Sequence, residues 1–177
     1  MPKRLRKMLG DVNAPSCVAL RQLIDTQSRD TIRTWCLNYA TETMLPIFER
    51  HCPGDSRPRN AIDAARAYLA GEVKFPVVKD IILNQCHAAA RELEDNPTAQ
   101  AAARAVGQGS AVVHTLSHSF GLYFYAAAAV AYDRIGLAEE DWAYSAIAEE
   151  VCRDYTNALR AVAVRDEPNP AKVKWSC

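Results

Sequence analysis

The chain has no run of about 18 consecutive apolar residues, the length a membrane-crossing helix requires. Its longest weakly polar run, Phe120 to Tyr132, is alanine-rich and too short. The basic start (Lys3, Arg4, Arg6, Lys7) is not followed by an apolar stretch, so no secretory signal is expected and a cytoplasmic location is. Excess charge is missing too: 21 basic side chains face 21 acidic ones. That balance argues against a nucleic-acid or membrane partner, since strong non-specific binders of either carry a positive surplus. The six cysteines, Cys17, Cys36, Cys52, Cys86, Cys152 and Cys177, form no Cys-x-x-Cys pair and no disulfide framework. They are read as reduced thiols. Phosphate loops, nucleophile elbows and dinucleotide fingerprints are all missing. No convincing strand pattern appears either.

What remains is helix. A chain of 177 residues is most simply one domain. Residues 1–15 read as a basic, loosely ordered arm, 16–165 as a single helical domain and 166–177 as an extended tail holding Pro168 and Pro170. Within the domain, apolar residues recurring at helical spacing predict helices over 16–26, capped by Ser16, and over 28–51, kinked or shortened by Pro46. A third follows Asp55 or Ser56 and stops at Gly71; a fourth covers 76–94. A fifth, 98–106, ends or bends at Gly107-Gln108-Gly109, whose glycines are also a weak anion-cradle signal. The sixth covers 110–135, with Val113, Leu116, Phe120 and Phe124 on one stripe. The last, 139–164, offers Trp142, Ile147, Val151, Tyr155, Leu159 and Val162 as its apolar face. The fold class is therefore all-α, a bundle or a stack of helical hairpins with six to seven helices. Dense alanine between Ala61 and Ala131 suits helix axes packed at the short end of the ~8–10 Å range.

Two clusters carry chemistry. His114 and His118 are four apart, which places two imidazoles on one helix face, as zinc helices do. A zinc site needs at least one more ligand, and His87 or Cys86 is the candidate. No Glu stands at the metalloprotease position and no Glu-x-x-His pair exists. Hydrogen-bonded or partner-facing histidines are the alternative, and no metal or other cofactor is assigned. The second cluster is Asp55 with Arg57, Arg59 and Arg66. Asp63 lies four after Arg59 and three before Arg66, so the three share a face. They read as a surface charge ladder, as an anion-recognition patch near a helix start, or as a cap with one arginine tying this helix to another. A third feature is acidic. Glu139, Glu140, Asp141, Glu149, Glu150 and Asp154 are opposed only by Arg153, which marks either a face for a basic protein or a solvated helix. Exposed Trp142 or Tyr144 would mark a homodimer surface.

The segment Asp55-x-Arg57-Pro58-Arg59-x-Ala61-Ile62-x-Ala64-Ala65-Arg66-Ala67, followed by Gly71-Glu72, resembles the hallmark of the Imm-5-like family. These are small helical bacterial proteins described as putative immunity proteins. Ala88-Ala89-Ala90-Arg91 resembles the family's alanine-rich middle helix. Ala101-Ala102-Ala103-Arg104-Ala105-x-Gly107-Gln108, then Ala111, His114 and His118, resembles its closing segment. Together they cover about residues 35–132. The family's usual His-Ala before Ala111 reads Gln108-Gly109 here. The resemblance implies a non-catalytic protein that neutralises a cognate toxin by stoichiometric binding. Against a nuclease toxin, the acidic last helix would mimic phosphate. The runner-up is a metal- or small-ligand-binding helical protein built on His114 and His118, with His87 as a third ligand. A further alternative is an enzyme using that pocket, with Arg59 and Arg66 as its anion anchor.

Overall fold

The computed structural model describes residues 5–175. Seven helical rods account for its regular structure, and no strand occurs among the described residues. They are α1 (Pro15–Ile24), α2 (residues 29–51), α3 (Arg57–Leu69), α4 (residues 75–92), α5 (Pro97–Ala111), α6 (His118–Ile135) and α7 (Asp141–Val162). None is long and apolar enough to cross a membrane. The all-α expectation of six to seven helices is met.

α5 lies at the centre and touches α2, α3, α4 and α6. Its buried residues are almost all small, among them Ala101, Ala102, Ala103, Ala105, Gly107, Gly109 and Ser110. The glycines neither end nor bend it; the helix runs straight through them to Ala111. Their reason is contact. A Cβ at Gly109 would sit 2.9 Å from the Ala40 Cβ and 3.4 Å from the Cys36 carbonyl oxygen. Glycine inside a helix costs about 1 kcal/mol relative to alanine, and here that cost lets α2 approach.

Bulk comes from the rods around α5. Trp35 on α2 stacks on Tyr155 of α7 at 4.1 Å, and its indole N–H donates to the Tyr155 carbonyl at 3.1 Å. The Tyr155 hydroxyl donates in turn to the Ser119 carbonyl of α6 at 3.0 Å. One aromatic stack thus joins three rods with its polar atoms satisfied, as a buried Trp–Tyr pair requires.

Two rods carry a wide π turn, at Ala40–Met44 in α2 and at Ile82–Cys86 in α4. The first immediately precedes Pro46, whose ring would strike the carbonyl of Glu42 in a regular helix. The wider turn removes that clash, so the helical residues continue to residue 51 instead of ending early. Ser28 caps α2 by accepting from the Thr31 amide at 3.2 Å. Ser16 does not cap α1. Pro15 opens that helix without a side-chain cap, and the Ser16 hydroxyl donates to Glu149 of α7 at 3.0 Å.

The helix predicted over 110–135 divides. Residues 112–117 form a turn, with His114 and Thr115 amides both donating to the Ala111 carbonyl, and α6 begins only at His118. Val113 and Leu116 are buried from that turn rather than from a helix stripe. On α7, Trp142 is 74% exposed and Val162 41%, so neither belongs to the core; Tyr144 is buried.

The described segments before α1 and after α7 both pack onto the helices. Of the basic N-terminal segment, Lys3 and Arg4 lie outside the described residues. The remainder runs along α6: the Leu9 amide donates to the Phe124 carbonyl at 3.1 Å, Leu9 is buried, and the Tyr132 hydroxyl donates to the Arg6 carbonyl. Gly10, at φ +106°, faces the Tyr123 hydroxyl where a Cβ would come within 2.7 Å. At the other end the buried Gln27 holds the chain. Its carboxamide accepts from the Val164 amide at 2.7 Å and its own carbonyl accepts from Ala171 at 2.8 Å. The five described cysteines are free thiols, and Cys177 lies outside the described residues.

Replacing Gly109 with alanine therefore opposes two effects. Helix propensity favours it by about 1 kcal/mol, but overpacking against Ala40 and the Cys36 carbonyl costs about 1–3 kcal/mol. We predict that Gly109→Ala lowers stability in urea unfolding despite its better propensity. A gain in stability would show that α2 yields easily.

Candidate functional site

The arginines are already engaged. Asp55 Oδ1 accepts the Arg57 backbone amide at 3.0 Å, and the Arg57 guanidinium donates to Asp55 Oδ2 at 2.8 Å and to Glu92 Oε2 at 2.8 Å. A guanidinium held between two carboxylates ties the entry of α3 to the end of α4. Arg59 donates to Glu49 of α2 at 2.6 Å. Arg66 reaches Asn38 and Thr41, also of α2, at 3.2 Å each. The three arginines thus leave their helix toward two neighbouring rods; they do not converge on a shared anion patch. Arg57 holds the Asp55 carboxyl below its ordinary value through their hydrogen bonds.

The turn at 112–117 breaks the helix that would have aligned the histidines, and each has a partner of its own. His114 is exposed, stacks on Phe75 at 4.0 Å and bonds the Thr115 hydroxyl at 3.1 Å. His118 opens α6, and its Nδ1 lies 2.7 Å from the Gln108 side-chain oxygen on α5. An amide oxygen only accepts, so the imidazole carries its proton on Nδ1 and its lone pair on Nε2. Gln108 is seated by Gly121, where a Cβ would come within 2.2 Å of that oxygen. The His87 ring packs against Gly107, where a Cβ would come within 2.5 Å of its Cε1. Cys86 spends its thiol on the Ala103 carbonyl at 3.2 Å. Among the described residues no three His, Cys, Asp or Glu side chains are grouped to hold a metal ion.

Burial pushes the His118 pKa below its ordinary value, helped by His114 nearby. Burial does the same to His87, with Arg104 and Arg91 adding repulsion. Both imidazoles are therefore neutral bases near pH 7. Because the folded state resists their protonation, the stability they contribute is present above the ordinary histidine value of about 6.5 and lost as pH falls through the lower folded values.

Of the clefts along the N-terminal segment, two are the more voluminous. One, of about 610 Å³, is lined by Leu5, Leu9, Tyr132 and Tyr144 and rimmed by Asp11, Glu139, Glu140, Asp141 and Glu149, with Arg6 as the opposing cation. Trp142 stands beside it at the start of α7. The other, of about 400 Å³, lies around His118 and is walled by Phe120, Phe124, Tyr125 and Trp175, with Met8, Val12 and Arg21 at its edge. Neither was visible as a site in the sequence. Both need the segment 5–12 laid along α6, which no local pattern announces.

The site residues thus define an all-helical body in which every arginine of the hallmark segment acts as a strut. The sequence pattern of the Imm-5 like putative immunity protein family matches residues 22–158, and the chain belongs to that family. The match runs from within α1 to near the end of α7, further in both directions than the 35–132 core read from motifs. No curated protein and no solved structure matches the chain.

Two measurements check this geometry. Arg57→Gln is expected to lower stability by about 1 kcal/mol at neutral pH, the scale of a well-formed but part-exposed charge-assisted pair. Since the folded Asp55 pKa is depressed, the difference from wild type should be full above pH ~4 and shrink as pH falls below it. Gln108→Glu should place a carboxylate against His118 and raise its NMR titration midpoint by about one pH unit. An unchanged midpoint would mean that Gln108 does not hold this ring.

Proposed function

We propose that the protein is an immunity protein, holding a cognate bacterial toxin inactive in the cytoplasm by stoichiometric binding, without chemistry of its own. Family membership supports the class. The observation that carries a binding face is Trp142, 74% exposed beside the acid-rimmed cleft. Exposed tryptophans are the side chains that most often dominate protein interfaces. The carboxylates Glu139 and Glu140 beside it complement a basic partner and would speed encounter. A chain of zero net charge still presents this field, because charges more than about 10 Å away are screened at moderate salt. The same carboxylates repel a second copy of this face, so a basic toxin surface fits better than a homodimer.

The toxin-domain protein encoded beside this gene should co-purify with the chain, and co-expression should protect cells from it. Trp142→Ala should weaken binding about 30-fold, equivalent to about 2 kcal/mol. Glu139→Gln with Glu140→Gln should slow association at low salt, with the gap closing as salt rises. Failure both to co-purify and to protect would overturn the proposal.

A further inference from the structure

The cleft around His118 plays no part in toxin binding as proposed, and it has the makings of a small-molecule site. Its volume of about 400 Å³ falls within the ~300–1,000 Å³ of such sites, which pair apolar walls with a few placed polar groups. The walls are aromatic. Trp175 meets Phe120 edge-on at 5.2 Å and is held in place by its indole N–H donating to Asp25 at 2.9 Å. Besides Gln108 and Ser117, two polar residues line this space. Arg21 is half-buried at its edge and has no ion-pair partner among the described residues. A guanidinium without an ion pair is available to a carboxylate. The second group is His118. Gln108 engages its Nδ1–H, and Nε2 has no protein partner among the described residues, yet is not among the nitrogens sealed from solvent. It is a fixed acceptor. Gly121, in the first turn of α6, leaves the space that the Gln108 side chain fills, so the acceptor is built rather than incidental.

We propose that this cleft binds a small aromatic carboxylic acid bearing a hydroxyl: ring among the aromatic walls, carboxylate on Arg21, hydroxyl donating to His118 Nε2. Met8 and Val12, 48% and 45% exposed, then cover apolar ligand surface instead of facing water. Neutrality of His118 keeps the lone pair available near pH 7, which its burial favours.

The test is calorimetric titration of the full chain at pH 7.5 with 4-hydroxyphenylalkanoates of one to three methylenes. Their 4-methoxy analogues and tyramine serve as comparisons. The best hydroxyphenylalkanoate should bind at least about tenfold more tightly than its methoxy analogue and than tyramine, since each comparison leaves one buried polar group unmatched. Arg21→Gln, at a helix position that leaves the fold intact, should erase the preference over tyramine. His118→Phe should erase the preference over the methoxy analogue, with circular dichroism confirming the helices. No saturable binding below millimolar concentration overturns the proposal. So does binding whose preferences survive either substitution.

Discussion

The close approach of four helices to α5 is the constraint on which the rest of the molecule depends. A helix of alanine and glycine contributes little apolar area of its own. It also loses almost no side-chain entropy on folding. Its value is geometric: axes can sit near the short end of the normal packing range, and α2, α3, α4 and α6 share one thin centre. The area that α5 lacks is supplied one layer out by Trp35, Phe48, Tyr123 and Tyr155, all fully buried. A core arranged this way tolerates added volume poorly at its middle, because interiors at near-crystalline density have no slack to absorb a methyl group.

The same thinness positions the polar groups. Gly107 admits the His87 ring and Gly121 admits the Gln108 carboxamide, and each contact would fail with a single added Cβ. Two helix positions that cost stability in isolation thus hold one imidazole neutral by burial and set the tautomer of another. Packing and site chemistry are the same feature here, since the atoms that bring α5 and α6 together also aim His118 Nε2.

Helix number and class were legible because α2, α3, α6 and α7 each carry an apolar stripe that only a 3.6-residue period explains. Boundaries were less so. Glycine in 107–109 was read through its propensity, yet it records tertiary contact with Ala40 and His87, which a linear pattern cannot contain. The π turn before Pro46 had a sequence marker in the proline; the one at Ile82–Cys86 had none. The histidine pair misled for a related reason. A spacing of four implies one face only if the helix is continuous, and the chain turns between Ala111 and His118. Of the two aromatic residues weighed as an exposed surface on the last helix, Trp142 is exposed and Tyr144 is buried, a difference that spacing alone does not decide. The clefts were out of reach altogether. They depend on Leu9 and Arg6 pairing with α6 more than a hundred residues away.

The hallmark segment bears on where specificity resides. Asp55 bonds to Arg57 at the entry of α3, and Arg57, Arg59 and Arg66 bond to neighbouring rods, so this segment describes how α3 enters the bundle. A scaffold motif of this kind places no demand on the partner. Residues free to differ without disturbing it are those whose side chains meet solvent at the two clefts: the outward positions of 5–12, the start of α7 around Trp142, and Arg21. Substitution there leaves the α5 contacts and the Arg57 strut untouched and changes the charge and shape offered to a partner. On the proposed function, selectivity for one toxin over another would come from the few side chains around Trp142 at the start of α7, with repulsion among carboxylates as important as attraction.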